Sequence, residues 1–213
     1  NVGPVIFYNK DLFEEAGVEP MPTEWDKRWT WDEFVENMKK LTKVSDDGTT
    51  TQYGTCNWQE QYSLYVLQEL LDLNGANWYN EDMTAAENVD SEESKEVIEG
   101  IKALRTEYGV APDPTAAGSD TSNSPTAMFL TGQVASIAIG SYALQEISQS
   151  DINYGVGLFP TFGKDDADAF MVSADMKCIN SETEHSEEAL LLAEYMSSQD
   201  FGIPIYQTGL WMP

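Results

Sequence analysis

Histidine is almost missing from this chain and cysteine is scarce: one His, His185, and two Cys, Cys56 and Cys178, in 213 residues. A zinc centre takes three or four His and Cys ligands at close spacing, and with no CxxC pair it has almost nothing to stand on here. A Cys–His nucleophilic pair is poorly served too, because His185 lies in SETEHSEEA, which reads as a polar helix start. The two cysteines sit far apart in strand-like contexts, and either two buried thiols or one disulfide is open to them. Positive charge is the next scarcity. Eleven Lys and Arg against 37 Asp and Glu leave a net charge of −26, spread along the chain. Such a surface repels phosphate backbones, so nucleic acid is excluded as a partner, and it suits an anionic membrane surface badly. No apolar run approaches the roughly 20 residues that span a bilayer. The opening NVGPVIFYNK has no initiator Met and lacks the basic start and cleavage site of a signal peptide. It begins within a strand-like run, and the chain stops at TGLWMP, so both ends read as cut from a longer protein.

What is present is an alternation of strand and helix signals, which predicts an α/β fold. Residues 5–8 read as a strand, with Asn9 placed to cap a helix over 10–16 that stops at Gly17. Thr30 and Glu33 form a capping box, and Trp31, Phe34, Val35, Met38 and Leu41 then share one helical face. Strand signals follow at 52–56, leading into NWQEQY and a helix over 61–73. An acidic-fronted helix after Ser91 is expected to turn Val97, Ile98, Ile101 and Leu104 inward. Ser124-Pro125 marks another helix start. A strand over 134–139 runs into Gly140, Ser141 and the ring of Tyr142, and INYGVGLF and FMVSADMKCIN read as further strands. Helices over 184–197 and 199–207 close the chain.

FYNKDLFEEAGV, TWDEFVENMKKLT, AMFLTGQVASIAIGSY, NYGVGLFPTF and TGLWMP, in that order and spacing, resemble the extracellular solute-binding proteins of ABC transporters, in particular the carbohydrate-binding, maltose-binding-protein-like branch. Each stretch alone is a weak signal; five in order over nearly the whole chain are a strong one. The resemblance implies a type II periplasmic-binding-protein-like fold, in which two α/β lobes close on ligand about a hinge. By that match residues 1–170 are most of the second lobe. Residues 171–213 are the strand crossing back through the hinge and helices normally packed on the first lobe, which is missing. Leu190, Leu191, Ala193 and Tyr195 are then expected to be exposed or to find a new contact. The implied partners are a carbohydrate ligand and a membrane permease. The implied location is extracellular or periplasmic, with the full-length protein tethered to the membrane. No cofactor is implied.

A sugar offers apolar C–H faces and a rim of hydroxyls, so its site needs rings beside amides and carboxylates, and such sites lie at strand ends. Tyr142 follows a strand end at the position where the family commonly carries a stacking aromatic; the rival reading packs it beneath the next helix. Glu60 and Tyr62 match the family loop that supplies a carboxylate and a ring, and Trp58 is an extra ring nearby, with core packing as its alternative. Asp175, in the hinge-crossing strand, ends Ser173-Ala174-Asp175 near where relatives often show a Gly-Gly pair and a large residue, and it is open to sugar hydroxyls or to Lys177. Trp211, before the final proline, completes the ligand-binding candidates. Two rival classes remain: a solute-binding protein for a peptide or polyamine, and a glycoside hydrolase, which would need a facing carboxylate pair.

Overall fold

The computed structural model describes residues 3–58, 64–76, 78–80, 82, 84–113, 124–163 and 177–207. At its centre is a three-stranded sheet in the order β4-β1-β5, formed by β1 (Pro4–Asn9), β4 (Ser136–Gly140) and β5 (Tyr154–Gly157). β1 runs antiparallel to both neighbours, with Pro4 opposite Gly140 and Ile6 opposite Gly157, so β4 and β5 point the same way. The outer edge of β4 is covered by residues 53–56, which run parallel to it through bridges from Tyr53 to Val134 and from Cys56 to Ile137.

The apolar run of β1 is buried on both faces, as a central strand requires. Ile6 and Tyr8 enter one core cluster and Phe7 the other, because alternate side chains leave opposite faces of a strand. The larger cluster takes α2 (Trp31–Leu41), α3 (Leu64–Leu73) and α4 (Glu92–Thr106); the smaller takes α5 (Pro125–Leu130) and α6 (Leu144–Ser148). The result is a layered α/β lobe with helices on both sides of the sheet.

Local chemistry sets the helix limits. Asn9 accepts hydrogen bonds from the Asp11 and Leu12 amides and starts α1 (Lys10–Glu15), and Gly17 follows at φ +65°. Both halves of the Thr30–Glu33 capping box are formed, and the five predicted residues of α2 are all buried. In α4 the inward set is Ser94, Val97, Ile101 and Leu104; Ile98 is 43% exposed, contrary to expectation. Ser94 takes the inward place because its hydroxyl receives the Trp78 indole N–H at 2.8 Å and donates to the Asn88 carbonyl. The strand signal at 52–56 divides: Thr50–Gln52 pairs with Lys43–Val44 as a hairpin (β3 with β2), and 53–56 crosses to β4.

α7 (Ser186–Met196) has no buried residue, and Leu190, Leu191, Leu192 and Tyr195 are exposed on it. It packs on α8 (Gln199–Gln207), with Tyr195 edge-on to Phe201 at 5.5 Å. Cys56 is buried, Cys178 is exposed, and no disulfide joins them, so neither expectation, two buried thiols or one disulfide, is met.

Candidate functional site

The direction of the strands gathers the candidate loops. β4 and β5 end on the same side of the sheet, and because residues 53–56 run parallel to β4, the segment after Cys56 starts there too. β1 begins at that side, where the Ser141 amide donates to the Gly3 carbonyl at 2.8 Å. The carboxyl ends of strands in an α/β sheet are the usual location of ligand sites.

At this end Gly140 passes from β4 into a 3-10 turn, Ser141–Ala143, which leads into α6. Ala143 and Ile147 turn inward and Tyr142 outward, 45% exposed, so the ring is not packed beneath the helix. Trp58 behaves in the opposite way. It is 3% exposed, its indole N–H donates to the Thr55 hydroxyl at 2.7 Å, and its ring lies among Phe34, Trp31 and Phe159 at centroid distances of 5.1, 5.8 and 5.7 Å. Trp58 is therefore a core ring, not a stacking platform, since a ring closed off by others has no face left for a sugar. It braces the strand-end loops from beneath. Trp31, stacked on Phe162 at 4.6 Å, extends the same aromatic cluster to the turn after β5.

Glu60, Tyr62, Asp175 and Trp211 lie outside the described residues. A cavity of about 500 Å³ flanks the aromatic cluster and is lined by Trp31, Phe162, Glu96 and Glu99. Tyr142 does not line it. On α3, Glu69 is buried, and Asp72 has its carboxyl pushed up by desolvation, against the hydrogen bond it accepts from Gln68. Among the described residues no group of three or more His, Cys, Asp or Glu is placed to hold a metal ion.

Asn57 escaped the sequence reading. It is 4% exposed, has φ +67°, and its side-chain amide donates to the Ala138 carbonyl at 2.5 Å. The available signal was its residue type: Asn is one of the few non-glycine residues that enter the left-handed region, and it stands directly after a strand.

With its loops gathered at the strand ends, the layered α/β lobe superposes on half of type II periplasmic-binding-protein-like structures, and its fold is of that type. The chain belongs to the family described as bacterial extracellular solute-binding proteins, whose model matches residues 1–201. The sn-glycerol-3-phosphate-binding periplasmic protein UgpB of Brucella abortus is 28% identical over 163 residues, 75% of this chain and 34% of that protein. Among solved structures, an ABC substrate-binding protein of Listeria monocytogenes in complex with cycloalternan superposes with a TM-score of 0.78 at 22% identity, over 100% of this chain and 50% of the other. The maltose/maltodextrin-binding domain MalE of Bdellovibrio bacteriovorus bound to maltotriose gives a TM-score of 0.70 at 18% identity, over 100% and 52%. The chain thus spans about a third of the length of the curated relative and half that of the solved neighbours.

Proposed function

We propose that the chain forms one lobe of the solute-binding component of an ABC importer, which captures a mono- or oligosaccharide in an interlobe cleft and delivers it to the membrane permease. The observation that carries this reading is Tyr142: an exposed ring at the carboxyl end of a buried strand, on the side of the sheet where residues 57–62 also begin. Tyr142 stacks on the apolar face of the sugar, while Glu60, Tyr62, Asp175 and Trp211 supply hydroxyl partners and further rings. Solved neighbours holding cycloalternan and maltotriose support this ligand class. The first lobe closes the cleft and covers the apolar side of α7. The protein acts outside the cytoplasmic membrane, tethered to it, and performs no chemistry on its ligand.

A second reading, a glycerol phosphate ligand, is favoured by the similarity to the sn-glycerol-3-phosphate-binding protein. Calorimetric titration of the two-lobe protein carrying this chain, with a sugar panel that includes maltotriose and with sn-glycerol-3-phosphate, separates them. Heat from a sugar alone supports the first reading. Saturable binding of the phosphate ester alone replaces it with the second.

A further inference from the structure

The cavity beside the aromatic cluster carries a donor that the fold leaves unused. The Trp58 and Trp78 indoles donate to the Thr55 and Ser94 hydroxyls. The Trp31 indole does not: its residue is only 8% exposed, and no acceptor among the described residues takes its N–H. A buried donor without a partner is costly, and native structures retain few of them. The N–H edge faces Gly100, because a Cβ there would lie 3.2 Å from Trp31 Nε1, and both residues line the cavity. Gly100 stands inside α4, where glycine weakens a helix relative to alanine, and it has no positive φ that would require it. What its missing side chain provides is room in front of the indole N–H. Around that donor the lining is acidic. Glu96, Glu99 and Glu107 come from α4, and Asp32 from the first turn of α2. Glu96 accepts from Asn74 Nδ2 at 2.9 Å, whereas Asp32, Glu99 and Glu107 have no ion pair among the described residues. The neighbouring cations are engaged elsewhere: Lys39 and Lys95 pair at 2.7 Å with Glu36 and Glu92. Phe162, stacked on Trp31, adds an aromatic wall.

We infer that this cavity binds a guanidinium group with a carbonyl oxygen close by, the chemistry of an arginine residue. The carboxylates of Asp32, Glu99 and Glu107 receive the N–H donors of the cation, Phe162 offers ring surface to its plane, and the carbonyl accepts the Trp31 indole N–H. A neutral sugar would satisfy the indole but leave the gathered negative charge without a counterpart. The volume of about 500 Å³ lies within the range of small-ligand sites. The site is separate from Tyr142 and does not rest on the carbohydrate reading.

In the two-lobe protein the probe is Nα-acetylargininamide, followed at the Trp31 indole N–H resonance by NMR, with that resonance assigned by its loss in Trp31→Phe. The neutral isostere Nα-acetylcitrullinamide and maltotriose serve as comparisons. The arginine probe is expected to shift the indole resonance saturably, and the citrulline compound to bind about tenfold more weakly or not at all. Glu99→Gln should weaken the arginine probe about two- to fivefold, the scale of one exposed ion pair, and the weakening should shrink in high salt. Gly100→Ala favours the helix and leaves every charge in place, but puts a methyl group before the indole; it should weaken binding about five- to tenfold, the scale of one hydrogen bond. A blocked Gly-Arg-Gly peptide separates the two sources of this chemistry: tighter binding than the single residue assigns the site to an arginine on a protein segment, and exclusion of the peptide assigns it to a free small molecule. No shift of the Trp31 indole with the arginine probe overturns the inference, as does an equal response to the citrulline isostere. Unchanged affinity in both Glu99→Gln and Gly100→Ala overturns it too. A shift of this resonance by maltotriose alone would replace the cation with a sugar.

Discussion

At Tyr142 the chain turns from strand to 3-10 turn within two residues, and the ring goes outward because Ala143 and Ile147 occupy the inner side beside Phe129 and Ile139. At Trp58 the same kind of side chain goes inward, where three other rings and a hydroxyl receive it. Their substitutions should therefore separate. Trp58→Ala is expected to cost about 3–5 kcal/mol of folding stability by urea denaturation, as buried aromatic truncations do, while Tyr142→Ala stays within about 0.5 kcal/mol of the parent. Asp72 offers a pH test. Desolvation raises its carboxyl above the ordinary value of 3.8, so the folded state binds the proton more tightly than the unfolded state. The stability this contributes is full below the unfolded value and is lost as pH rises through the folded one. Asp72→Asn, which keeps an acceptor for Gln68, should raise the thermal midpoint slightly at pH 7, with the advantage fading below about pH 4. At this scale the sequence was a partial guide. A strand end followed by Gly-Ser-Tyr placed a ring at the edge of the sheet, but only the family resemblance favoured an outward ring over one packed beneath the next helix. NWQEQY gave no means to separate a platform from a core ring, since Trp58 is buried by contacts with Trp31, Phe34 and Phe159, which arrive from distant segments.

The helices were legible because their signals are local. The α2 capping box and stripe lie within twelve consecutive residues, and Asn9 and Gly17 bracket α1 in the same way. Thr30→Ala should lower stability by about 1 kcal/mol, read as a shift in the denaturant midpoint. Ile98 shows where periodicity stops: it flanks the stripe of Ser94, Val97, Ile101 and Leu104 and stays exposed, while Ser94 is buried with its hydroxyl bonded to the Trp78 indole. The strand over 52–56 was found as an element, but its division between two partners was not, because pairing depends on where β4 lies and not on the residues of the strand. Gly155 was not marked at all, yet a Cβ there would run into the Tyr8 ring, so Gly155→Ala should destabilise the β1–β5 pair measurably in thermal melts.

Over the whole molecule, 37 acidic residues keep the surface solvated while α7 leaves Leu190, Leu191 and Leu192 uncovered, with Leu191 68% exposed. Apolar side chains grouped on one helix mark a contact surface. The 213-residue chain alone should self-associate at high concentration in sedimentation, and Leu191→Glu should suppress this without lowering the thermal midpoint. The order of motifs along the chain disclosed the family, since the α/β alternation survives where identity to the solved neighbours is only 18–22%. The ligand was less legible, because a cleft built from distant loops leaves no contiguous motif. The central claim is that a sugar lies against the ring at the end of β4. Its most direct test is the maltotriose affinity of the two-lobe protein with Tyr, Trp or Ala at position 142. The account predicts that Tyr142→Trp retains binding and that Tyr142→Ala weakens it about tenfold or more, the scale of a lost stacking contact in a desolvated site. Equal affinity for all three would contradict it.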